Sequence, residues 1–184
     1  ASARELGLAA GKRVAPWLQM EEQPFGPVAL HSSAARSVEC SAALRDALPP
    51  ALRSTFTVSL HTGLRWSEQA ALRWRDADLL SGVITVRRAK NGSARQVPMN
   101  SVVRSVLFDL GARRGRLDAP EEPIFTDAYR TVARAFAQAV GRAQKALRAA
   151  GKDASRLDGY TWHGNRHTFA SRLVMAGVDL RTVQ

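Results

Sequence analysis

Trp162-His163-Gly164-Asn165-Arg166-His167-Thr168-Phe169-Ala170-Ser171 is the stretch on which the reading of this chain turns. It opens a helix predicted to begin near His163 and to end before Gly177, where glycine suits a C-cap. His163 and Arg166, three apart, share one face of that helix. Far upstream stands Thr62-Gly63-Leu64-Arg65-Trp66-Ser67-Glu68, which places a second arginine at another helix start. Between the two lies Lys90, just ahead of Asn91-Gly92, a strong hairpin-turn signal. Two arginines, a histidine and a lysine so placed suggest a site built for a phosphate.

The elements around these residues follow from pattern. A helix from about Ala34 would use Val38, Ala42, Leu44, Ala47 and Leu48 as its apolar face, ended by Pro49-Pro50. A second helix spans 50–61 with Pro50 in its first turn, and Thr62-Gly63 stops it. A short third helix has Ser67 as cap, Glu68 in its first turn and Ala70, Ala71 and Leu72 for packing. The β-branched run 82–88 predicts a strand. Residues 95–99 return as its partner, and Pro98, without an N–H, puts this strand at an edge or at its own end.

Helices then follow over 101–114, with Val102, Val103, Val106, Leu107 and Leu110 apolar, and over about 127–150, with Val132, Ala135, Phe136, Ala139 and Val140 inward. Loops fill 115–123 and 151–159. The expectation is a mostly α-helical α+β domain over 34–184 with a small antiparallel sheet. Residues 1–33, broken by Gly11, Pro16, Pro24, Gly26 and Pro27, read as a linker or N-terminal arm.

Composition narrows the partner. The chain has 184 residues, 27 Lys+Arg against 16 Asp+Glu and a net charge of +11, which favours a polyanion, nucleic acid first. No basic amphipathic helix with an aromatic face points to a membrane surface. No apolar run approaches the ~18 residues that span a bilayer. The single cysteine, Cys40, permits no internal disulfide and fits a reducing, cytoplasmic setting, with core filling as its role. His163 and His167, four apart, have the spacing of a zinc pair, but Gly164 stands where a zincin carries Glu, and no other Cys/His cluster joins them. No metal, cofactor or small-molecule substrate is expected.

Taken together, the motifs resemble the catalytic domain of the tyrosine recombinases, the phage-integrase family. That family carries an arginine in a Thr-Gly-Leu-Arg-x-Ser-Glu motif, matched by Thr62 to Glu68. Its lysine sits on a hairpin turn ahead of a Val-Pro-hydrophobic strand, matched by Lys90 and Val97-Pro98-Met99. Its His-x-x-Arg pair, followed by His-Thr-Phe-Ala-Ser, is matched by His163 to Ser171. Residues 72–78 share the family's texture. The resemblance covers about 38–184.

The resemblance implies metal-free cleavage and rejoining of double-stranded DNA through a phosphotyrosine. Arg65 and Arg166 would neutralise the two non-bridging oxygens, each a rigid charged fork. Lys90 would protonate the departing 5′ oxygen, and His163 would bond the phosphate and assist proton transfer. Glu68 would orient neighbouring side chains. Arg87, Arg88 and Arg95, flanking the turn, would follow the DNA backbone. On the long helix Arg134, Arg142, Lys145 and Arg148 form either a DNA face or a solvated one.

Two departures carry expectations of their own. Asn165 stands where the family commonly has Leu, altering a packing contact. The family also places its nucleophilic tyrosine beyond Gly177-Val178, whereas Tyr129 and Tyr160 are the tyrosines here. The expectation is a chain without the nucleophile, inactive alone, whose parent assembles as a tetramer on DNA. A non-enzymatic DNA-binding remnant of the same fold is the rival. A helical RNA-binding protein is a weaker one, since aromatic stacking clusters are missing.

Overall fold

In the computed structural model, the described residues are 32–87, 94–115 and 119–178. Two hydrophobic cores share one central helix. The helices are α1 (Ser32–Ala47), α2 (Pro50–Thr62), α3 (Trp66–Ala70), α4 (Ser101–Arg114), α5 (Tyr129–Ala149) and α6 (Gly164–Met175). A three-stranded antiparallel sheet holds β1 (Ala77–Asp78), β2 (Val83–Val86) and β3 (Arg95–Pro98) in that order. Its register pairs Ala77 with Ile84, Ile84 with Val97, and Val86 with Arg95. The mostly helical α+β architecture with a small sheet is the one its sequence pattern predicts.

Helix α2 turns Leu52, Phe56 and Leu60 toward Leu44 of α1, Leu48 just beyond it, and Val132, Phe136, Ala143 and Leu147 of α5. Val58, on its other side, joins Leu64, Leu72, Trp74, Ile84, Val103 and Leu107 in the second core, between sheet and α4. Cys40 is buried in the first core. Helix α6 packs on α2 between these layers.

Several local expectations need correction. Val38 and Ala42 of α1 and Val102 of α4 are exposed, because the inward stripe of each helix is narrower than its apolar content. Ser67 does not cap α3. Arg65 holds the N-cap position in extended backbone, and its N–H donates to the Glu68 carboxylate. Ala71 lies beyond that helix and is exposed, while Leu72 is buried. Strand β1 escapes any pattern because it is two residues long. The Asp78 carboxylate accepts the N–H groups of Leu80 and Ser81, at 2.9 Å each, and so shapes the turn from β1 into β2.

The loop into α5 is more ordered than composition suggests. Its residues run beside 72–75: Trp74 N–H donates to Glu122 O, Arg75 N–H to Pro120 O, and Ile124 N–H to Leu72 O. Ile124 and Phe125 are thereby sealed into the second core. Gly177 closes α6 at φ +81°, with Val178 N–H returning to Leu173 O at 3.0 Å, a Schellman closure. Val178 is buried, which seats the chain leaving the helix.

Candidate active site

The site grows from the C-terminus of α2. Gly63 ends that helix at φ +62°, a left-handed conformation that costs any other residue, and donates to Ser59 O at 3.1 Å. The ring of Phe169 on α6 lies where a Gly63 side chain would start, so space as well as backbone demands glycine. Thr62 turns its hydroxyl inward to Val58 O at 2.6 Å, and buried Leu64 pins the next residue. The chain therefore emerges with Arg65 at the surface, its side chain 40% exposed.

Glu68 is the negative centre of this region, with a side chain only 3% exposed. It accepts the Arg65 backbone N–H at 2.9 Å and Arg65 Nη1 at 3.1 Å. Both Arg95 terminal nitrogens reach it from β3, each at 2.8 Å, as a paired fork. Burial alone would raise this carboxyl's pKa. The Arg95 fork and then the Arg65 N–H outweigh it and lower it to about 2. Glu68 is thus ionised at any physiological pH.

Arg166 arrives from α6. Its Nη1 donates to Gly63 O at 2.6 Å, in the turn that delivers Arg65. Burial lowers its pKa, and the neighbouring Arg65 charge lowers it further. Two partly desolvated guanidinium groups repel each other here, with one carboxylate and the third arginine, Arg95, beside them. Such a spot attracts an anion.

The start of α6 is set by packing. Trp162 is buried against Phe136 at 5.2 Å, Trp66 at 5.4 Å and Phe56 at 6.4 Å between ring centroids. His163, the next residue, is exposed at the N-terminus of α6, its ring edge-on to His167 at 4.9 Å. It therefore shares a helix start with Arg166. Trp66 also meets the ring of Tyr129 at 5.4 Å, so aromatic surface adjoins Arg65.

Asn165 is wholly buried, and its amide is used in full view of the core. Its Nδ2 donates to Ser59 Oγ at 3.2 Å, and its Oδ1 accepts the Tyr160 hydroxyl at 3.1 Å. The Tyr160 oxygen lies 2.9 Å from Thr168 Oγ1. Burial pushes the Tyr160 pKa up, against the hydrogen bond with Thr168. The Tyr160 ring also fills the space above Gly164, where an added Cβ would lie 2.8 Å from it. The polar link through Ser59, Asn165, Tyr160 and Thr168 has no signal in sequence, because it joins positions from three separate segments.

The structure brings Arg65, Glu68, Arg95 and Arg166 together, with His163 at the head of the Arg166 helix. Lys90 and Arg88 lie outside the described residues. Of the arginines expected on the DNA backbone, Arg95 spends its fork on Glu68, and Arg87 pairs through Nε with buried Asp76. On α5, Arg142 is held by Ala47 O at 2.8 Å and Arg148 approaches Asp158 at 3.6 Å, leaving Arg134 and Lys145 the more available cations. Among the described residues no group of three or more His, Cys, Asp or Glu side chains could hold a metal ion, and no helix is long and apolar enough to cross a membrane.

The chain is similar to known proteins in sequence and in fold. Tyrosine recombinase XerC of Xylella fastidiosa (strain 9a5c) is 32% identical over 136 residues, covering 72% of this chain and 42% of that protein. XerC of Xanthomonas campestris pv. campestris (strain B100) is 33% identical over 141 residues, covering 72% and 38%. The chain thus spans about two fifths of the length of these relatives. In fold it is similar to the XerA recombinase crystal structure, with a TM-score of 0.62 and 23% identity over 88% of this chain and 55% of that one. It is also similar to the Tn1549 transposon integrase, solved in complex with transposon right end DNA, with a TM-score of 0.56 and 24% identity over 72% of this chain and 49% of that one. Residues 37–184 match the phage integrase family, and with Arg65 and Arg166 set about one turn of backbone, the chain belongs to that family.

Proposed function

We propose that this chain is the catalytic domain of a site-specific DNA recombinase or integrase that cuts and rejoins double-stranded DNA through a phosphotyrosine. The observation that carries the proposal is the Arg166 contact with Gly63 O, which sets the second arginine against the turn presenting the first. Two cations held in mutual repulsion suit a phosphate that gains charge on two non-bridging oxygens.

In the proposed step a tyrosine oxygen attacks phosphorus in line, the bond to the 5′ oxygen breaks, and that oxygen takes a proton. Arg65 and Arg166 stabilise the charge that develops, typically worth ~3–4 kcal/mol for each preorganised donor. Lys90 delivers the proton, and His163, exposed at the α6 start, bonds the phosphate and assists transfer. Rejoining reverses the sequence, with a 5′ hydroxyl as nucleophile.

Neither tyrosine of this chain suits the attack. The Tyr160 hydroxyl is engaged by Asn165 and Thr168 in a half-buried position with its pKa raised. Tyr129 lies against Trp66 at the start of α5, ahead of the α6 motif rather than beyond it, where the family places its nucleophile. The nucleophile is a tyrosine outside these 184 residues, and the 184 residues alone form no adduct. Double-stranded DNA is the partner, with a tetramer of the parent protein as the working assembly.

The test is covalent capture. The natural gene product containing this chain is incubated with a random-sequence duplex library carrying bridging phosphorothiolates, which trap the cut state. Protein–DNA adducts that survive denaturation should accumulate on a recurrent sequence through a phosphotyrosine outside residues 1–184. They should fall at least a hundredfold with Arg65→Gln or Arg166→Gln. Adducts through Tyr160, or adducts indifferent to both arginines, would overturn the proposal.

A further inference from the structure

Arg95 matters to the site in a way that neither a DNA contact nor a simple surface ion pair explains. Arg65 and Arg95 both bond one buried carboxylate, and Arg166 feels its charge without touching it. The carboxylate is shared unequally. Arg95 gives it two nitrogens at 2.8 Å, whereas Arg65 gives one side-chain nitrogen at 3.1 Å. The remaining guanidinium donors of Arg65 have no partner among the described residues, and its side chain is 40% exposed. Glu68 cannot do without a cation, since a buried carboxylate left unpaired is costly.

We propose that Arg95 is a positioning residue that occupies the Glu68 carboxylate, so that the Arg65 guanidinium remains available to a phosphate. With Arg95 in place, Glu68 and Arg95 cancel, and Arg65 and Arg166 face the anion with two net charges. Without Arg95, the fork left to satisfy Glu68 is Arg65, which already bonds it through one side-chain nitrogen at 3.1 Å. The phosphate site would then lose a cation although Arg65 is still present. The same bond fastens the start of β3, where Arg95 pairs with Val86, to the first turn of α3.

This inference rests on the reading that Arg65 and Arg166 hold a DNA phosphate. The test is a double-mutant cycle in the natural gene product, with duplex DNA binding followed by fluorescence anisotropy across a salt series. Arg65→Gln should weaken binding about tenfold and lower the slope of log K on log salt by ~0.9. Arg95→Gln should do the same. The two together should be no worse than either alone, because Arg65 is already lost to Glu68. Adding Glu68→Gln to Arg95→Gln should restore binding and, with it, sensitivity to Arg65→Gln. Arg95→Lys, which keeps the charge but not the fork, should fall between the wild type and Arg95→Gln.

If Arg65→Gln alone changes nothing, the phosphate reading falls and this inference with it. If Arg65→Gln weakens binding while Arg95→Gln does not, or if the two losses multiply, only the inference falls. Should Arg95→Gln fail to fold, the Glu68→Gln/Arg95→Gln pair decides, because it leaves no buried charge unmatched. Binding that matches the wild type and still depends on Arg65 supports the inference, and binding that has lost its dependence on Arg65 overturns it.

Discussion

Gly63 shows how much a single position can carry. Its φ of +62° and the Phe169 ring above it both exclude a side chain. Gly63→Ala is expected to cost ~1–3 kcal/mol from backbone strain alone, with more from displacing Phe169, as a lower midpoint in urea unfolding. The turn was legible in sequence, because Thr-Gly after an apolar run is a stop signal. The Phe169 contact was not, because it joins two helices far apart in the chain.

His61 supplies a pH test at the same scale. Burial, and then the Arg172 charge, lower its pKa to about 4. Its Nδ1 faces Asn100 Nδ2 at 3.0 Å, and Asn100 Oδ1 accepts Val103 N–H to cap α4. Neutral His61 fits this arrangement as the acceptor. The unfolded chain takes up a proton near the ordinary pKa of ~6.5, while the folded chain does so only near 4. Stability is therefore full above about pH 6.5 and declines as pH falls toward 4. Between pH 7 and pH 5 the loss from this group is at most about 2 kcal/mol. Urea titrations at the two pH values should show it, and His61→Gln should flatten that interval. A wild type with equal stability at both would contradict the assignment.

At the scale of elements, helices and the hairpin were readable because each has its own period or turn chemistry. What escaped were features made between elements: the two-residue β1, the ordered 119–125 segment and the exposure of Val38, Ala42 and Val102. The candidate site divides in the same way. Arg65, Glu68, His163 and Arg166 stood out in local motifs, whereas the Arg95 fork depends on how β3 lies against α3. Asn165 is the instructive case. Sequence marks it as a departure, and the structure adds the partners that accommodate it, Ser59 on α2 and Tyr160 in the preceding loop.

That network predicts a non-additive pair. Tyr160→Phe leaves Asn165 Oδ1 buried without a donor and should cost ~1–3 kcal/mol. Asn165→Leu should cost a similar amount by taking the amide partner from the Ser59 hydroxyl and leaving the Tyr160 hydroxyl with Thr168 alone. The double variant, which removes both polar partners, should be less destabilised than the sum of the two. Denaturant midpoints of the four proteins measure this, and strict additivity would show that the two side chains do not depend on each other.

Across the whole molecule, two cores meet along α2, and the arginine site sits where α2 ends between them. The first core seats α6 through Trp162, and the second seats the sheet that carries Arg95. Both must be formed before Arg65 and Arg166 meet. On the proposed function, the net charge of +11 draws DNA to the surface, and the paired arginines set one phosphate apart from the rest. NMR of the arginine Nε–H groups in the natural gene product, during titration with duplex DNA, tests that claim most directly. The account predicts that the Arg65 and Arg166 resonances shift together with one apparent Kd, and that Arg166→Lys diminishes the shift of Arg65. Resonances of Arg134 and other surface arginines moving while Arg65 and Arg166 stay fixed would contradict it.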